Sequence, residues 1–221
     1  MKEILILATN LGFRYGQSWL WQDLNFEAQA GEILWLQGEN GAGKTTLFKL
    51  LAGLLYPGLG DLEIKPQARP MLYLPAKGLG FNLDLSAQEN FETDLYLQAY
   101  NGRNLNLDLK IIFEQLQISK TDQTRPLATL SCGQQQKVLL GKLLINPAKT
   151  WLLDEPFNFL DPEGIMLLQD LLKNHRAQGG LVILSQHALN QHASLISLYD
   201  RVISLCSLAT SPVLMKQAEA P

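Results

Sequence analysis

Short apolar runs broken by glycine and proline open the chain. Ile4 to Leu7 form the first. Leu24, Phe26 and Ala28 then alternate with Asn25, Glu27 and Gln29, the period of two expected of a strand with one buried face in an antiparallel sheet. Ala30-Gly31-Glu32 turns the chain into Ile33-Leu34-Trp35-Leu36-Gln37, a continuous apolar run that fits a strand covered on both faces. A helix is expected from Gly43 to about Leu55, and Pro57-Gly58 with Gly60 marks a turn. From 76 to 145 the period becomes helical. Ser86-Ala87-Gln88-Glu89 has the form of a capping box, so a helix should begin there and run to about Tyr100. Ile112 and Leu116 belong to a second helical stripe, about 107–117. Ser131 opens a third helix carrying Val138, Leu139, Leu143 and Leu144, which Asn146-Pro147 ends.

Alternation returns in the last third. Trp151-Leu152-Leu153 reads as a strand, 162–176 as a helix, Leu181 to Leu184 as a strand and 202–205 as a last strand, with Gly179-Gly180 breaking the chain between helix and strand. Strands that alternate with helices predict an α/β fold with a mostly parallel sheet. The expected layout is a single domain over 1–221. Residues 1–75 and 146–206 form its core, with an antiparallel β portion near the start, and 76–145 form an inserted helical subdomain.

Composition narrows the function classes. The 221 residues carry 18 Lys+Arg against 21 Asp+Glu, a net charge of −3. Wrapping nucleic acid by bulk charge would need a strongly basic face, so a nucleic-acid partner is not expected. The two cysteines, Cys132 and Cys206, offer neither a disulfide framework nor a CxxC zinc knuckle. The opening MKEILILATN is too short in apolar residues for a signal peptide, and no stretch reaches the roughly 18 apolar residues of a membrane span.

The chemistry is concentrated in three motifs. Gly38-Glu39-Asn40-Gly41-Ala42-Gly43-Lys44-Thr45 fits G-x-x-x-x-G-K-[ST], between a buried strand and a helix. Its glycines let the backbone curl so that N–H groups of Gly38 and of Asn40 to Thr46 point at phosphate oxygens, and the helix start adds its positive dipole end. Lys44 brings a positive charge to the outer phosphates, and Thr45 a hydroxyl for Mg²⁺. In Thr150-Trp151-Leu152-Leu153-Asp154-Glu155-Pro156, a strand ends in two carboxylates at the sheet edge where ligands bind in such folds. Asp154 can hold Mg²⁺ through its water shell, and Glu155 can polarise an attacking water. The third motif is Leu130-Ser131-Cys132-Gly133-Gln134-Gln135-Gln136.

That third motif resembles the LSGGQ signature of ABC ATPases, with Cys132 at the first of the two glycines. The resemblance implies that Ser131, Gly133 and Gln134 clamp the terminal phosphate of ATP bound by another copy. It also assigns Tyr15 as the aromatic that stacks on adenine. By the same resemblance Asp161, in Asn158-Phe159-Leu160-Asp161, lies in a loop that touches the opposite protomer. His187, after Leu184-Ser185-Gln186, matches the switch histidine that bonds the γ-phosphate. One position departs from the pattern: Ala76 or Lys77 stands where the family carries a glutamine, just after Tyr73-Leu74-Pro75.

The resemblance runs from Tyr15 to about Leu205. Among minimal subunits the chain most resembles ATP-binding subunits of the cytochrome c maturation (haem exporter) type, through GENGAGKTTL, LLAGLLYP, LSCGQQQKV, WLLDEPFNFLD and GGLVILSQH. What this implies is an ATPase using ATP and Mg²⁺, paired head to tail with a second copy. It would drive integral membrane subunits beside haem-handling proteins at the cytoplasmic face of the inner membrane. A subunit of another bacterial ABC transporter is the alternative. More remote is a soluble translation or repair factor, against which speak the single nucleotide-binding domain, the missing basic excess and the missing heptad run.

Overall fold

A computed structural model describes residues 2–76, 80–103, 107–186, 197–205 and 214–216. The chain divides into two compact units, Met1–Pro75 with Ala148–Pro156 and Leu172–Pro221, and Ala76–Pro147 with Phe157–Leu171.

The first unit holds two sheets. Strands β1 (Ile4–Tyr15), β2 (Ser18–Gln29) and β4 (Leu59–Ile64) form an antiparallel sheet in the order β2-β1-β4. Strand β1 runs well past the short apolar run that announced it, because its buried positions continue through Leu11 and Phe13. The turn expected around Gly60 is shorter than its residues implied. The strand begins at Leu59, and Gly60 adopts a left-handed φ of 73° inside it, against the backbone of Thr9 and Asn10 where no side chain fits.

The second sheet has the order β5-β6-β7-β3-β8-β9. Its strands are β3 (Ile33–Gln37), β5 (Met71–Leu74), β6 (Thr150–Asp154), β7 (Leu181–Ser185), β8 (Arg201–Ser204) and β9 (Leu214–Lys216). All neighbours are parallel except the edge pair β8–β9. Residues paired across parallel strands share a face. The register therefore lines up Tyr73, Leu152, Ile183 and Leu34 on one side. Two residues on, Asp154, Ser185 and Leu36 share that side. This face packs with Leu47, Phe48, Leu50 and Leu51 of helix α1 (Lys44–Leu51) and with the buried face of the antiparallel sheet, in one apolar core.

Helix α1 stops about a turn before the expected Leu55. Gly53 adopts φ 76°, its N–H donates to Leu50 O, and the Leu54 N–H donates to Lys49 O, the two bonds of a Schellman motif. On the other face of the parallel sheet, Trp151 stacks on His175 with ring centroids 3.8 Å apart. Burial lowers the His175 pKa.

The second unit is helical: α2 (Ala87–Tyr100), α3 (Leu109–Gln115), the short α4 (Lys120–Gln123), which the pattern did not announce, and α5 (Cys132–Ile145). The capping box at Ser86 is present, with Ser86 Oγ accepting from the Glu89 N–H and Glu89 accepting from the Ser86 N–H. Phe91 of α2 stacks on Phe113 of α3, and at Gly141 of α5 an added Cβ would overlap the Phe91 ring. Helix α6 (Pro162–Ala177) follows strand β6 in sequence.

Candidate functional site

Parallel strands all present their carboxyl ends at one edge, and the order β6-β7-β3 decides which loops meet there. The loop 38–43 leaves β3, Asp154 and Glu155 end β6, and Ser185 ends β7 between them. A pocket of about 300 Å³ opens at this edge, lined by Tyr15, Leu20, Asn40, Gly41, Gly43, Lys44, Thr45, Thr46, Asp154 and Glu155.

The loop holds its shape through its own bonds. Gly41 and Gly43 have φ of 83° and 94°, which side-chain-bearing residues rarely adopt. Gly43 has a second reason to lack a side chain: its Cβ would lie 2.5 Å from both Leu20 Cδ2 and Trp21 Nε1. At Gly38 a Cβ would come within 2.9 Å of Leu205 O. The Ala42 N–H donates to Glu39 O at 3.1 Å. Lys44 folds back over the loop, and its ammonium donates to Gly38 O at 2.8 Å and Glu39 O at 3.0 Å. Those bonds use two of its three N–H donors. Burial lowers the Lys44 pKa, while the carboxylates of Glu155 and then Asp154 pull it back up.

Asp154 is 5% exposed and gathers two hydroxyls. Thr45 Oγ1 donates to its Oδ2 and Ser185 Oγ to its Oδ1, both at 2.6 Å. The following residue turns away sharply: Glu155 has φ 55°, and its N–H donates to both the carbonyl and the hydroxyl of Ser185 at 3.1 Å. The donor set suits Mg²⁺. Thr45 gives its proton to Asp154 and keeps its oxygen lone pairs, and a hard cation that retains several waters needs only one or two protein oxygens. Among the described residues no group of three or more His, Cys, Asp or Glu forms a denser metal site.

Tyr15, 58% exposed, lies at the pocket rim with its hydroxyl 3.2 Å from Thr46 Oγ1 and its ring edge-on to Phe13. Its outer face is open for a flat ligand ring. Sequence reasoning passed over Ser185 and Tyr73. The Tyr73 ring stacks on Phe48 at 6.0 Å, and its hydroxyl is buried with no hydrogen-bond partner among the described residues. Burial, reinforced by the charge of Asp154, pushes its pKa up to about 12. The signal for both residues is the strand register, which the sequence does not print.

The signature-motif candidates and Asp161 belong to the second unit. Ser131 caps α5 in a reciprocal box with Gln134: Ser131 Oγ accepts from the Gln134 N–H at 3.3 Å, and Gln134 Oε1 accepts from the Ser131 N–H and hydroxyl, each at 3.0 Å. Gln135 fastens the preceding turn by donating to Leu127 O and Leu130 O. A Cβ on Gly133 would approach Phe159 O to 2.9 Å. Asp161 accepts from the Gly164 N–H at 2.8 Å at the start of α6 and pairs with Lys137 at 2.7 Å. The Lys137 hydrogen bond, then the Gly164 N–H, hold its carboxyl below the usual carboxylate range. Ala76 is exposed just after β5 and offers only a methyl group. His187 and Lys77 lie outside the described residues.

Comparison with known proteins gives this arrangement its context. Residues 21–158 match the ABC transporter family. The cytochrome c biogenesis ATP-binding export protein CcmA of Nitrosococcus oceani is 37% identical over 189 residues, covering 81% of this chain and 85% of that protein. The protein of the same name from Methylococcus capsulatus is 33% identical, covering 85% and 93%. A solved ATP-binding subunit of an ABC transporter superposes with a TM-score of 0.74 at 26% identity, over 91% of this chain and 85% of that one. A dimeric ATP-binding cassette bound to ADP and phosphate shares the fold with a TM-score of 0.76 at 18% identity, over 98% and 100%. Among the described residues no helix is long and apolar enough to cross a membrane. The chain belongs to the ABC transporter ATP-binding family and is an ATPase subunit of that kind.

Proposed function

We propose that the chain powers an export complex serving cytochrome c biogenesis. It would work at the cytoplasmic face of the inner membrane, as two head-to-tail copies docked on integral membrane subunits with haem-handling proteins alongside. The observation that carries the nucleotide chemistry is the Thr45–Asp154–Ser185 cluster set beside a phosphate loop closed by Lys44. The biogenesis context is supported by relatives over 30% identical across most of the chain.

In this reading adenine stacks on Tyr15 and the phosphates enter the loop, where backbone N–H groups of the glycine-rich loop and the start of α1 meet their charge. The third donor of the Lys44 ammonium serves the outer phosphates. Thr45 and, through water, Asp154 hold Mg²⁺, which when bound neutralises charge on the phosphate oxygens. Glu155, on a left-handed backbone with φ 55° at the rim of the same pocket, orients the water that attacks the γ-phosphorus. His187 bonds the γ-phosphate, and the partner copy presents Ser131, Gly133 and Gln134, with its Asp161 loop at the shared face. Closure around two ATP molecules and reopening after hydrolysis would move the membrane subunits.

The test is complementation. In a bacterium deleted for its own cytochrome c biogenesis ATPase subunit, this chain should restore covalent haem attachment to c-type cytochromes, and Lys44→Ala should not. Active ATP hydrolysis without restored attachment would assign the subunit to a different exporter.

A further inference from the structure

The Tyr73 hydroxyl is buried, makes no hydrogen bond among the described residues, and takes no part in the ATPase chemistry. A buried hydroxyl left unpaired costs stability, so a tyrosine where phenylalanine would fit calls for a reason. The register supplies one. Tyr73 pairs with Leu152 on the face that also carries Asp154, so Asp154 is its diagonal neighbour, two residues along the adjacent strand. With parallel strands about 4.8 Å apart and a rise of about 3.3 Å per residue, such neighbours lie about 8 Å apart, within reach of a long aromatic side chain. Phe48, four residues after Lys44 in α1, stacks on the ring and fixes its direction. Asp154 already accepts one hydroxyl on each oxygen, and a carboxylate has room for more.

We propose that Tyr73 is a positioning residue of the ATPase site, its O–H donating through a water to Asp154 and thereby holding the Thr45–Asp154–Ser185 cluster in the form that receives the divalent cation. The inference rests on the ATPase reading of the pocket. Tyr73 touches neither nucleotide nor water nucleophile; it acts through Asp154.

Tyr73→Phe keeps the ring and removes the hydroxyl. The full-length chain would be titrated with Mn²⁺ in the presence of ADP, free Mn²⁺ being read by electron paramagnetic resonance, alongside thermal unfolding without metal or nucleotide. The expected effect falls on metal binding. Mn²⁺ affinity should fall by about tenfold, as for outer-shell partners of metal ligands. The metal-free protein should keep a cooperative unfolding transition, which shows that the variant is folded where its affinity is read. Unchanged Mn²⁺ affinity in Tyr73→Phe would overturn the proposal. Tyr73→Leu also removes the stacking; if only that variant weakened Mn²⁺ binding, the role would be packing and the proposal would fail. Absence of Mn²⁺–ADP binding by the unsubstituted chain would instead sink the ATPase reading.

Discussion

The phosphate-loop end of the first unit and the signature end of the second are both dense in hydrogen bonds, but they spend them differently. In the first, the internal bonds leave capacity over: Lys44 keeps a donor, Thr45 keeps its lone pairs, and Asp154 can accept more. In the second, the groups expected to meet a phosphate satisfy one another. Ser131 and Gln134 exchange their bonds within one helix cap, and Asp161 is taken up by Lys137 and Gly164. The first site is therefore preorganised for its ligand. At the second, the Ser131 hydroxyl must give up its bond to Gln134 before it can donate to anything else.

The comparison can be broken most forcefully at Glu155. Glu155→Gln should cut the ATPase rate by about 10²–10⁴-fold, the usual scale of general acid–base catalysis, with ATP affinity retained and a dimer accumulating in Mg²⁺–ATP. Turnover assays with size-exclusion chromatography check this, and normal turnover removes Glu155 from its role. Lys44→Ala comes next, with a loss of ~2.7–4 kcal/mol in transition-state stabilisation and weakened nucleotide binding. An unchanged rate would show that the Lys44 bonds only shape the loop.

In the second unit the effects should be smaller and fall on folding first. Gly133→Ala should destabilise by about 1 kcal/mol: the clash with Phe159 O costs about 1–3 kcal/mol and the gain in helix propensity of about 1 kcal/mol offsets part of it. Ser131→Ala should cost about 1 kcal/mol through the lost cap without changing nucleotide affinity of the isolated copy; denaturant melts and nucleotide titrations separate the two readouts. Smallest is the pH effect of Asp161. Its folded pKa is depressed, so its contribution is present above the unfolded carboxylate value and is lost as pH falls through the folded one. Asp161→Asn should flatten that acid limb of the stability profile, and an unaltered limb would mean the Lys137 pair contributes nothing.

Features written in consecutive residues were legible before the structure. The phosphate loop, the Ser86 capping box, the Ser131 helix start and the acidic strand end at Asp154 are local, and their backbone geometry follows from consecutive residues. The end of α1 was equally local, yet the apolar run through Leu55 outweighed Gly53, whose left-handed turn stops the helix. Ser185 and Tyr73 could not be read from spacing. Their place arises from strands far apart in sequence brought into one register, which sets the Ser185 hydroxyl of β7 on the Asp154 carboxylate of β6 and puts Tyr73 of β5 on the same sheet face. The edge strand β9 was hidden for the same reason: it exists only by pairing with β8.

The contact between Trp21 and the Gly43 position has a practical outcome. Of the four tryptophans, this one is 3% exposed and lies against the phosphate loop, while Trp35 stands by Tyr199, Trp151 by His175 and Trp19 under Arg14. Its indole is placed to report on the loop. In a protein whose other three indoles are replaced by phenylalanine, the emission of the one remaining would follow loop occupancy in real time, with no dye attached.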